Sequence, residues 1–341
     1  MTVKNKIDRV AVIGAGSWGT ALSTVLSRKA KTVMLWGHRE EHVHQLDIHR
    51  ENRRHLPGVV LGDNIIPTSD LTAAVQNTEI ICAVVPSHSF RAVFESMMPL
   101  MEDRAIVVSA IKGVENSTLM TMTQVMAQIL GRQQRQNTIK TAVLSGPSFA
   151  KEVAQGIPTA VTIGCKDIAI AQYLQNVFVT ETFRVYASTD VIGLEISAAL
   201  KNIIAIAAGI CDGLGYGMNT RAALITRGLA EITRLGVRLG AERETFFGLS
   251  GLGDLVLTCT GDLSRNRSVG MELGRGRKLV DILAEMRMVA EGVKTTKSIY
   301  DLTRPLDIEM PILEQVYAIL YEDKECSLAV NDLLARELKV E

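Results

Sequence analysis

Histidine is missing from most of this chain. All six histidines lie before residue 90, at His38, His42, His44, His49, His55 and His88. Histidine is the side chain that enzymes use most often as a general acid or base. Any proton donor supplied by the last two-thirds of the chain must therefore be of another kind.

Metal-binding and disulfide patterns are also missing. No C-x-x-C or H-E-x-x-H pair is present, so we expect no dedicated zinc site. The five cysteines are scattered, odd in number and mostly set in apolar segments, at Cys82, Cys165, Cys211, Cys259 and Cys326. This usage is typical of buried thiols in a reducing compartment. We therefore expect a cytoplasmic protein.

Neither charge nor hydropathy points to a nucleic acid or a membrane. Lys+Arg and Asp+Glu are both 37, which leaves no electrostatic attraction to nucleic acid or to an acidic membrane surface. The most apolar stretch, residues 191–210, is interrupted by Glu195 and Lys201. It therefore lacks the ~20 uncharged residues of a membrane span. The apolar run near the N-terminus is too short and glycine-broken for a signal peptide, so we expect a soluble protein.

The first 188 residues alternate between two patterns. Short β-branched runs are separated by segments of helical periodicity, such as 89–101 and 118–130. Apolar strands joined by crossover helices predict a Rossmann-type doubly wound sheet, mostly parallel and covered on both faces. The predicted strands are 9–13, 32–36, 80–85, 105–110, 141–144, 159–163 and 183–186.

The second half of the chain is rich in helix formers punctuated by glycine. Nothing there forces a second sheet, and a length of 341 residues favours two domains. We predict a Rossmann domain over 1–188 and an all-helical domain over 189–341. The predicted helices are 189–211, 219–240, 278–286, 292–302, 311–321 and 326–338.

The motif G-A-G-S-W-G follows the first strand and precedes a helix. Gly14 suits the tight turn, Gly16 lets the backbone approach a pyrophosphate, and Gly19 lets the helix pack closely on the sheet. The helix N-terminus would face the phosphates. In this context the motif predicts dinucleotide binding.

The end of the second strand bears on the choice of cofactor. Enzymes that use NAD usually place an Asp or Glu there for the ribose 2′-hydroxyl, whereas this chain has Gly37, His38 and Arg39. Glu40 and Glu41 lie too far along and should begin the next helix. Because arginine suits a 2′-phosphate, we expect NADPH to be preferred, with NADH possible. The alternative is that His38 and Arg39 are simply solvated.

Lys201 is an unusual residue for its surroundings. It shares the apolar stretch 191–210 with only one other charge, Glu195. Burial of an ammonium group is costly and lowers the lysine pKa toward the range of proton transfer near pH 7. Lys201 is therefore a candidate general acid. The alternatives are that it reaches the surface from a helix end or pairs with Glu195.

Two strand ends in the first half could also contact a ligand. Lys112, in S-A-I-K-G, follows a strand at the edge where open α/β sheets bind ligands. The alternative is an exposed loop lysine. The segment S-G-P-S-F-A, which begins at Ser145, has small residues that would let backbone amides approach an anion, although a plain turn explains it equally well.

Two polar features stand out in the second half. A glycine-rich turn, G-L-S-G-L-G-D, ends at Asp254, and a loop cluster, S-R-N-R-S, begins at Ser264. Singly, Asp254 could be a helix cap and Arg265 a surface residue. Together they offer a guanidinium fork for a phosphate beside a carboxylate and a lysine for proton transfer.

These motifs as a set resemble the bacterial-type NAD(P)-dependent glycerol-3-phosphate dehydrogenases. The resemblance covers about residues 9–325 in unbroken order. It rests on G-A-G-S-W-G, V-V-P-S-H, A-I-K-G, L-S-G-P-S-F-A-K-E, L-K-N-I-I-A-I-A-A-G-I-C-D-G-L-G, T-R-A-A-L-I-T-R-G-L-A-E, G-L-G-D-L-V-L-T-C-T, S-R-N-R and V-A-E-G.

The resemblance implies a function and a set of site residues. It implies a cytoplasmic, homodimeric enzyme with a 6-phosphogluconate dehydrogenase-like helical domain. This enzyme would reduce dihydroxyacetone phosphate to sn-glycerol 3-phosphate for phospholipid synthesis. The implied catalytic residues are Lys201, Lys112 and Asp254. The implied substrate contacts are Lys112, Gly146, Ser148, Lys201, Asn202, Asp254, Thr258, Ser264, Arg265 and Asn266. The implied cofactor residues are Gly14, Gly16, Ser17, Trp18, Gly19, His38, Arg39, Lys112, Ala150, Arg265, Val289 and Glu291.

Two other functions compete with this interpretation. A related dehydrogenase acting on a 3-hydroxy acid would need a carboxylate clamp in place of S-R-N-R. A nucleotide-sensing module would keep Gly14 to Gly19 but would have no use for Lys201 and Asp254.

Overall fold

The fold was determined from a computed structural model, which describes residues 7–286, 290–337 and 340. The chain forms two compact units. The first comprises Met1–Ile111 and Met120–Val191, and the second comprises Lys112–Leu119 and Ile192–Glu341. The segment Lys112–Leu119 thus groups with the second unit although it follows a strand of the first.

The first unit alternates strands and helices, as the sequence pattern predicts. Its strands are β1 (Ile7–Ile13), β2 (Ala30–Trp36), β3 (Glu51–Asn52), β4 (Leu56–Val60), β5 (Ile65–Thr68), β6 (Ile80–Ala83), β7 (Ile106–Ser109), β8 (Lys140–Ser145), β9 (Thr159–Gly164) and β10 (Phe183–Ser188). Its helices are α1 (Ser17–Leu26), α2 (Glu40–His49), α3 (Leu71–Val75), α4 (Ser87–Met97), α5 (Met122–Arg132), α6 (Ala150–Ala154) and α7 (Ile168–Phe178).

Eight of these strands form one sheet in the order β10-β9-β8-β7-β6-β1-β2-β5. All neighbouring pairs are parallel except β8 with β9. Alternate residues of β1 enter different cores: Val10 and Val12 pack on one face, Ala11 and Ile13 on the other. The sheet is therefore covered on both faces, as a doubly wound fold requires.

All seven predicted strands are present, but β3, β4 and β5 were missed. The first is only two residues long, and β4 and β5 contain proline or glycine, which weaken a strand pattern. Proline is tolerated in β5 because this strand lies at the sheet edge.

Apart from the segment 112–119, the second unit is built of helices and their connections in the part that the structure describes, and the helices enclose one core. Its helices are α8 (Val191–Gly213), α9 (Met218–Arg238), α10 (Asp254–Thr260), α11 (Arg265–Gly274), α12 (Leu279–Glu285), α13 (Glu291–Thr303), α14 (Pro311–Tyr321) and α15 (Cys326–Leu334). The predicted fold class is confirmed. The boundary near Ser188 stays a prediction.

Two helices of this unit were not predicted. Residues 249–253 form a π-helical turn that leads into α10 at Asp254, where the sequence indicated only a glycine-rich turn. The S-R-N-R cluster was placed in a loop, which is wrong, because α11 begins at Arg265. Asparagine, serine and glycine are weak helix formers, so local propensity does not reveal α11.

The apolar helix α8 is a core element of the second unit. It is long and apolar enough to cross a membrane by length and composition alone, but 94% of its most apolar window is buried. Burial of this kind is typical of the central helix of a globular core.

All five cysteines are free thiols, four of them buried and Cys326 half-buried. The expectation of buried, unpaired thiols is thus confirmed, except that Cys326 is only partly covered.

Candidate active site

The glycine-rich loop lies at the point where the strand order of the first unit reverses. The strand β1 has β2 on one side and β6 on the other, and ligands of open α/β sheets bind at such a switch point. Gly14 donates a hydrogen bond to the carbonyl of Trp36 (2.9 Å). Its φ of +126° favours glycine, and an added Cβ would lie 2.7 Å from the carbonyl oxygen of Val84.

The loop has the shape that a pyrophosphate needs. A Cβ added at Gly16 would meet nothing within 4 Å, so open space lies over this backbone, whereas at Gly19 it would lie 1.8 Å from the oxygen of Gly14. Helix α1 begins at Ser17 and directs its N-terminus into the same region. Among the described residues, the buried indole N–H of Trp18 has no hydrogen-bond partner. These features fit a dinucleotide cofactor.

His38 and Arg39 lie where the sequence predicted a 2′-phosphate contact. Both are exposed, and the Nε of Arg39 donates to Nε2 of His38 (3.2 Å). Arg39 is the N-cap of α2, and Glu40 and Glu41 form the first turn of this helix, as predicted. No carboxylate therefore stands at the end of β2 itself.

The second unit brings Lys201, Asp254, Lys112 and Thr258 into one hydrogen-bonded cluster. The Nζ of Lys201 donates to Oδ1 of Asp254 (2.8 Å) and to Oγ1 of Thr258 (2.7 Å). The Nζ of Lys112 donates to Oδ2 of the same carboxylate (2.8 Å). Thr258 in turn donates to the backbone carbonyl of Asp254 (2.6 Å), one turn earlier in α10. Lys201 thus pairs with a carboxylate on a neighbouring helix.

Burial and charge make Lys201 suitable for proton transfer. Desolvation lowers the pKa of Lys201 to about 8, even though the charge of Asp254 raises it. Burial alone would raise the pKa of Asp254, but the ammonium groups of Lys112 and Lys201 outweigh burial and hold it below its ordinary value. Two ammonium groups share one carboxylate, so the cluster carries a net charge of about +1. A site of this charge favours a developing alkoxide.

The segment that carries Lys112 is anchored within the second unit. Val114 enters the core of this unit. Asn116 accepts a hydrogen bond from the hydroxyl of Ser298 on α13 (3.0 Å). Lys112 keeps 21% of its side chain exposed, whereas Lys201 keeps 6%. Lys112 is therefore the member of the pair that a ligand can reach more readily.

The S-R-N-R cluster forms the first turn of α11. Ser264 is the N-cap, and its Oγ accepts a hydrogen bond from the backbone N–H of Arg267 (3.3 Å). The Oδ1 of Asn266 accepts a hydrogen bond from the backbone N–H of Gly292 (3.0 Å), so the other end of this amide is a donor. Arg265 alone of these four is exposed. Desolvation lowers the pKa of Arg265, and the charge of Glu291 opposes this effect.

The turn after β8 belongs to the first unit. Gly146 has a φ of +134°, and an added Cβ would lie 2.9 Å from the Cα of Val161. The hydroxyl of Ser148 donates to the carbonyl of Gly146 (3.1 Å). Ala150 begins α6, a helix of only five residues. The turn is tightly packed at Gly146, and its use by an anion stays a prediction.

Of three further predicted site residues, the structure describes two. Asn202 is buried on α8 next to Lys201. Glu291 is the first residue of α13. Val289 lies outside the described residues. The assignment of all these residues to substrate or cofactor stays a prediction.

Gly292 contacts two of the predicted site residues, although the sequence pattern did not single it out. Its N–H holds the side chain of Asn266, and an added Cβ would lie 2.8 Å from Oδ1 of Asn266 and 2.9 Å from the carbonyl of Asn202. The only signal was its position in V-A-E-G, directly after Glu291.

Within residues 7–286, 290–337 and 340, no group of three or more His, Cys, Asp or Glu side chains could hold a metal ion.

Known proteins are similar to this chain over nearly its whole length. Residues 9–171 match the family model for the NAD-dependent glycerol-3-phosphate dehydrogenase N-terminus, and residues 190–331 match the model for its C-terminus. The chain is 57% identical to glycerol-3-phosphate dehydrogenase [NAD(P)+] of Desulfotalea psychrophila, over 99% of this chain and 100% of that protein. It is 53% identical to the protein of the same name from Citrifermentans bemidjiense, over 98% and 99%.

A solved structure agrees with the sequence comparisons. The crystal structure of glycerol-3-phosphate dehydrogenase from Coxiella burnetii superposes with a TM-score of 0.92 at 40% identity, covering 97% of this chain and 99% of that one. The predicted family is thus confirmed. The chain belongs to the NAD-dependent glycerol-3-phosphate dehydrogenase family and is an NAD(P)-dependent oxidoreductase.

Proposed function

We propose that this chain interconverts dihydroxyacetone phosphate and sn-glycerol 3-phosphate through the Lys201–Asp254–Lys112 cluster. Membership of the family supports the reaction, and the buried cluster is the observation that supports these residues as its catalytic centre. When bound, the reduced nicotinamide supplies the hydride that reaches C2 of the substrate. The product would feed glycerophospholipid synthesis.

Lys201 protonates the oxygen at C2 as the carbonyl is reduced. Its pKa of about 8 leaves it mostly protonated near pH 7 and still able to release the proton. In the reverse direction the neutral amine takes the proton from the hydroxyl of sn-glycerol 3-phosphate. Asp254 and Thr258 hold the Lys201 ammonium in one orientation through hydrogen bonds of 2.8 and 2.7 Å.

Lys112 adds positive charge where the oxygen becomes negative. It shares Asp254 with Lys201, so the carboxylate fixes both ammonium groups. Because the site is largely buried, this charge acts through a low dielectric and stabilises the transition state more than it would in water.

Arg265 and Asn266 anchor the phosphate. Arg265 is the exposed residue of the α11 first turn, although the protein around its guanidinium partly desolvates it, and Asn266 turns its amide donor away from Gly292. A guanidinium and an amide at a helix N-terminus suit a phosphate dianion. Binding energy at the phosphate is then used to orient the carbonyl.

The preference for NADPH, the homodimer and the cytoplasmic location are further proposals. Arg39, exposed at the end of β2 where no carboxylate stands, supports the first. The resemblance to the family supports the other two, and equilibrium sedimentation of the purified chain tests the dimer.

The substrate assignment is tested by comparing dihydroxyacetone phosphate with dihydroxyacetone, following NADPH oxidation. We expect the unphosphorylated compound to lose kcat as well as affinity. Arg265→Ala should lower kcat/KM for dihydroxyacetone phosphate about 100-fold, the usual cost of losing a charge-assisted contact. It should change the rate with dihydroxyacetone less than about 3-fold.

The matched control is Arg275→Ala, which removes an exposed arginine just after the end of the same helix. It should leave both substrates unaffected. An equal loss with both substrates in Arg265→Ala would show that Arg265 is structural or serves the cofactor.

A further inference from the structure

Helices α8 and α11 pack against each other at backbone distance. A Cβ added at Gly209 would lie 2.0 Å from the carbonyl oxygen of Arg267, and one added at Gly270 would lie 2.0 Å from that of Ile206. One turn further along both helices, Gly213 and Gly274 make the same kind of approach to Met271 and Ile210. The two helices therefore run parallel, and side chains larger than hydrogen would force them apart.

The glycine contacts fix where the proposed phosphate-binding residues of α11 lie along α8. The first turn of α11, which carries Arg265 and Asn266, lies one turn before Gly270 and hence at the level of α8 just after Lys201 and Asn202. The contact of Gly292 with both Asn202 and Asn266 agrees with this level. The glycines set how close the helices come, but small side chains alone give little resistance to sliding.

An ion pair between the two helices resists such sliding. The Nε of Arg267 donates to Oδ2 of Asp212, near the end of α8 (2.8 Å). The other oxygen of Asp212 accepts from Nε of Arg221 on α9 (3.1 Å). The side chains of Arg267 and Asp212 are only 10% and 8% exposed. Loss of the Asp212 charge would leave the Arg267 guanidinium without its buried partner, which is costly.

Arg267 differs in this respect from its neighbours in the motif. It also donates from Nη1 to Asp262 (2.8 Å), but that carboxylate is 95% exposed and this contact is weak. Arg267 thus ties the α11 first turn to α8, whereas Arg265, two residues earlier, is left exposed for a ligand.

We propose that Asp212 and Arg267 are positioning residues that hold the phosphate anchor in register with Lys201. The proposal rests on the proposed function, in which Arg265 and Asn266 bind the phosphate. Neither Asp212 nor Arg267 needs to touch the substrate. A shift of the α11 first turn by about 1 Å would misplace the carbonyl relative to Lys201, and such a misplacement can cost about 100-fold in rate.

The test is a double-mutant cycle between Asp212→Asn and Arg265→Ala. Asparagine keeps the shape of Asp212 but removes the charge. Asp212→Asn alone should lower kcat/KM for dihydroxyacetone phosphate about 10- to 100-fold, mainly through kcat, and leave the NADPH Kd unchanged. In the Arg265→Ala background the same change should cost less than about 3-fold, because the anchor is already lost. Turnover of dihydroxyacetone should not respond to it.

Arg267→Lys provides a milder variant should Asp212→Asn fold poorly. It keeps the charge but loses the planar fork, so it should show a smaller loss with the same dependence on Arg265. The control is Arg277→Ala, at a position just after the end of α11. It breaks ion pairs with Glu272 and Glu285 and should be neutral.

Two results would overturn the proposal. One is a loss of kcat/KM in Asp212→Asn that is equal for dihydroxyacetone phosphate and dihydroxyacetone. The other is a loss from Asp212→Asn that is as large in the Arg265→Ala background as in the wild type. Failure of the proposed function looks different: the wild-type enzyme itself would then show no preference for the phosphorylated substrate.

Discussion

Replacing Asp254 with asparagine should change the pH at which the enzyme loses activity. Asp254 is buried, and its two oxygens lie 2.8 Å from the ammonium groups of Lys201 and Lys112. Its charge raises the pKa of Lys201, which burial otherwise lowers to about 8. Asparagine keeps an oxygen acceptor but removes this charge. Since the charge of Asp254 raises the pKa of Lys201, its removal should move this pKa well below 8.

The expected loss of rate follows from the protonated fraction of Lys201. At pH 7.5 most of Lys201 is protonated in the wild type, whereas only a minor fraction would be protonated in the variant, so kcat for reduction should fall about 3-fold or more. The assay is kcat for reduction of dihydroxyacetone phosphate over about pH 5.5 to 9.5, at saturating substrate and NADPH. Reduction by the wild type should decline above about pH 8, and oxidation of sn-glycerol 3-phosphate should rise over the same range.

The variant should instead lose reduction activity at a distinctly lower pH than the wild type. Asp281→Asn, which neutralises an exposed carboxylate of the same unit, should leave the profile unchanged. Binding of NADPH confirms that the Asp254 variant is folded. A declining limb that stays in place or moves to higher pH would refute the assignment of Asp254 and of the wild-type pKa.

The remaining predictions concern the cofactor and the stability of the second unit. Arg39→Asp should raise the NADPH Kd about 10- to 100-fold and leave the NADH Kd nearly unchanged. Fluorescence titration measures both constants, with Lys31→Asp at the other end of β2 as the control. Equal weakening of the binding of both cofactors would exclude a 2′-phosphate contact. Glu231 is buried and accepts hydrogen bonds from the backbone N–H groups of Ile312 (2.7 Å) and Leu313 (3.3 Å) at the start of α14. Glu231→Leu should therefore lower the free energy of unfolding by about 2–3 kcal/mol and Glu231→Gln by less. Urea titration measures both values. Equal losses in the two variants would contradict the role of Glu231 as hydrogen-bond acceptor for the start of α14.

The sheet could be predicted from the sequence because its signal is local. Buried parallel strands are continuous apolar runs, as in I-I-C-A of β6, and each is followed by a segment of helical period. Strands such as β5, I-I-P-T, depend on pairing with a neighbour that is distant in sequence, which no local pattern records.

Helices α10 and α11 could not be predicted, since tertiary packing overrides local propensity there. Gly270 and Gly274 weaken α11 as an isolated helix, yet the close approach of α8 requires them. The glycines that weaken α11 in isolation are therefore those that let it pack on α8.

Part of the site was visible in the sequence and part was not. Lys201 stood out because an isolated charge in an apolar helix needs a partner or a function. The partner itself, Asp254, lies 53 residues further along, and Lys112 lies 142 residues before that carboxylate. Neither spacing follows a helix or strand period, so only the fold or a family resemblance could join the three.

The central claim, that Lys201 is the general acid, is tested most directly by Lys201→Met. Methionine has a similar length and is apolar, so it suits the buried position without bringing a new charge. We expect kcat for reduction of dihydroxyacetone phosphate to fall by ~10² to 10⁴, the usual contribution of general acid catalysis, while the NADPH Kd and the unfolding midpoint stay close to those of the wild type. Turnover near the wild-type rate in a folded, NADPH-binding Lys201→Met enzyme would contradict the claim.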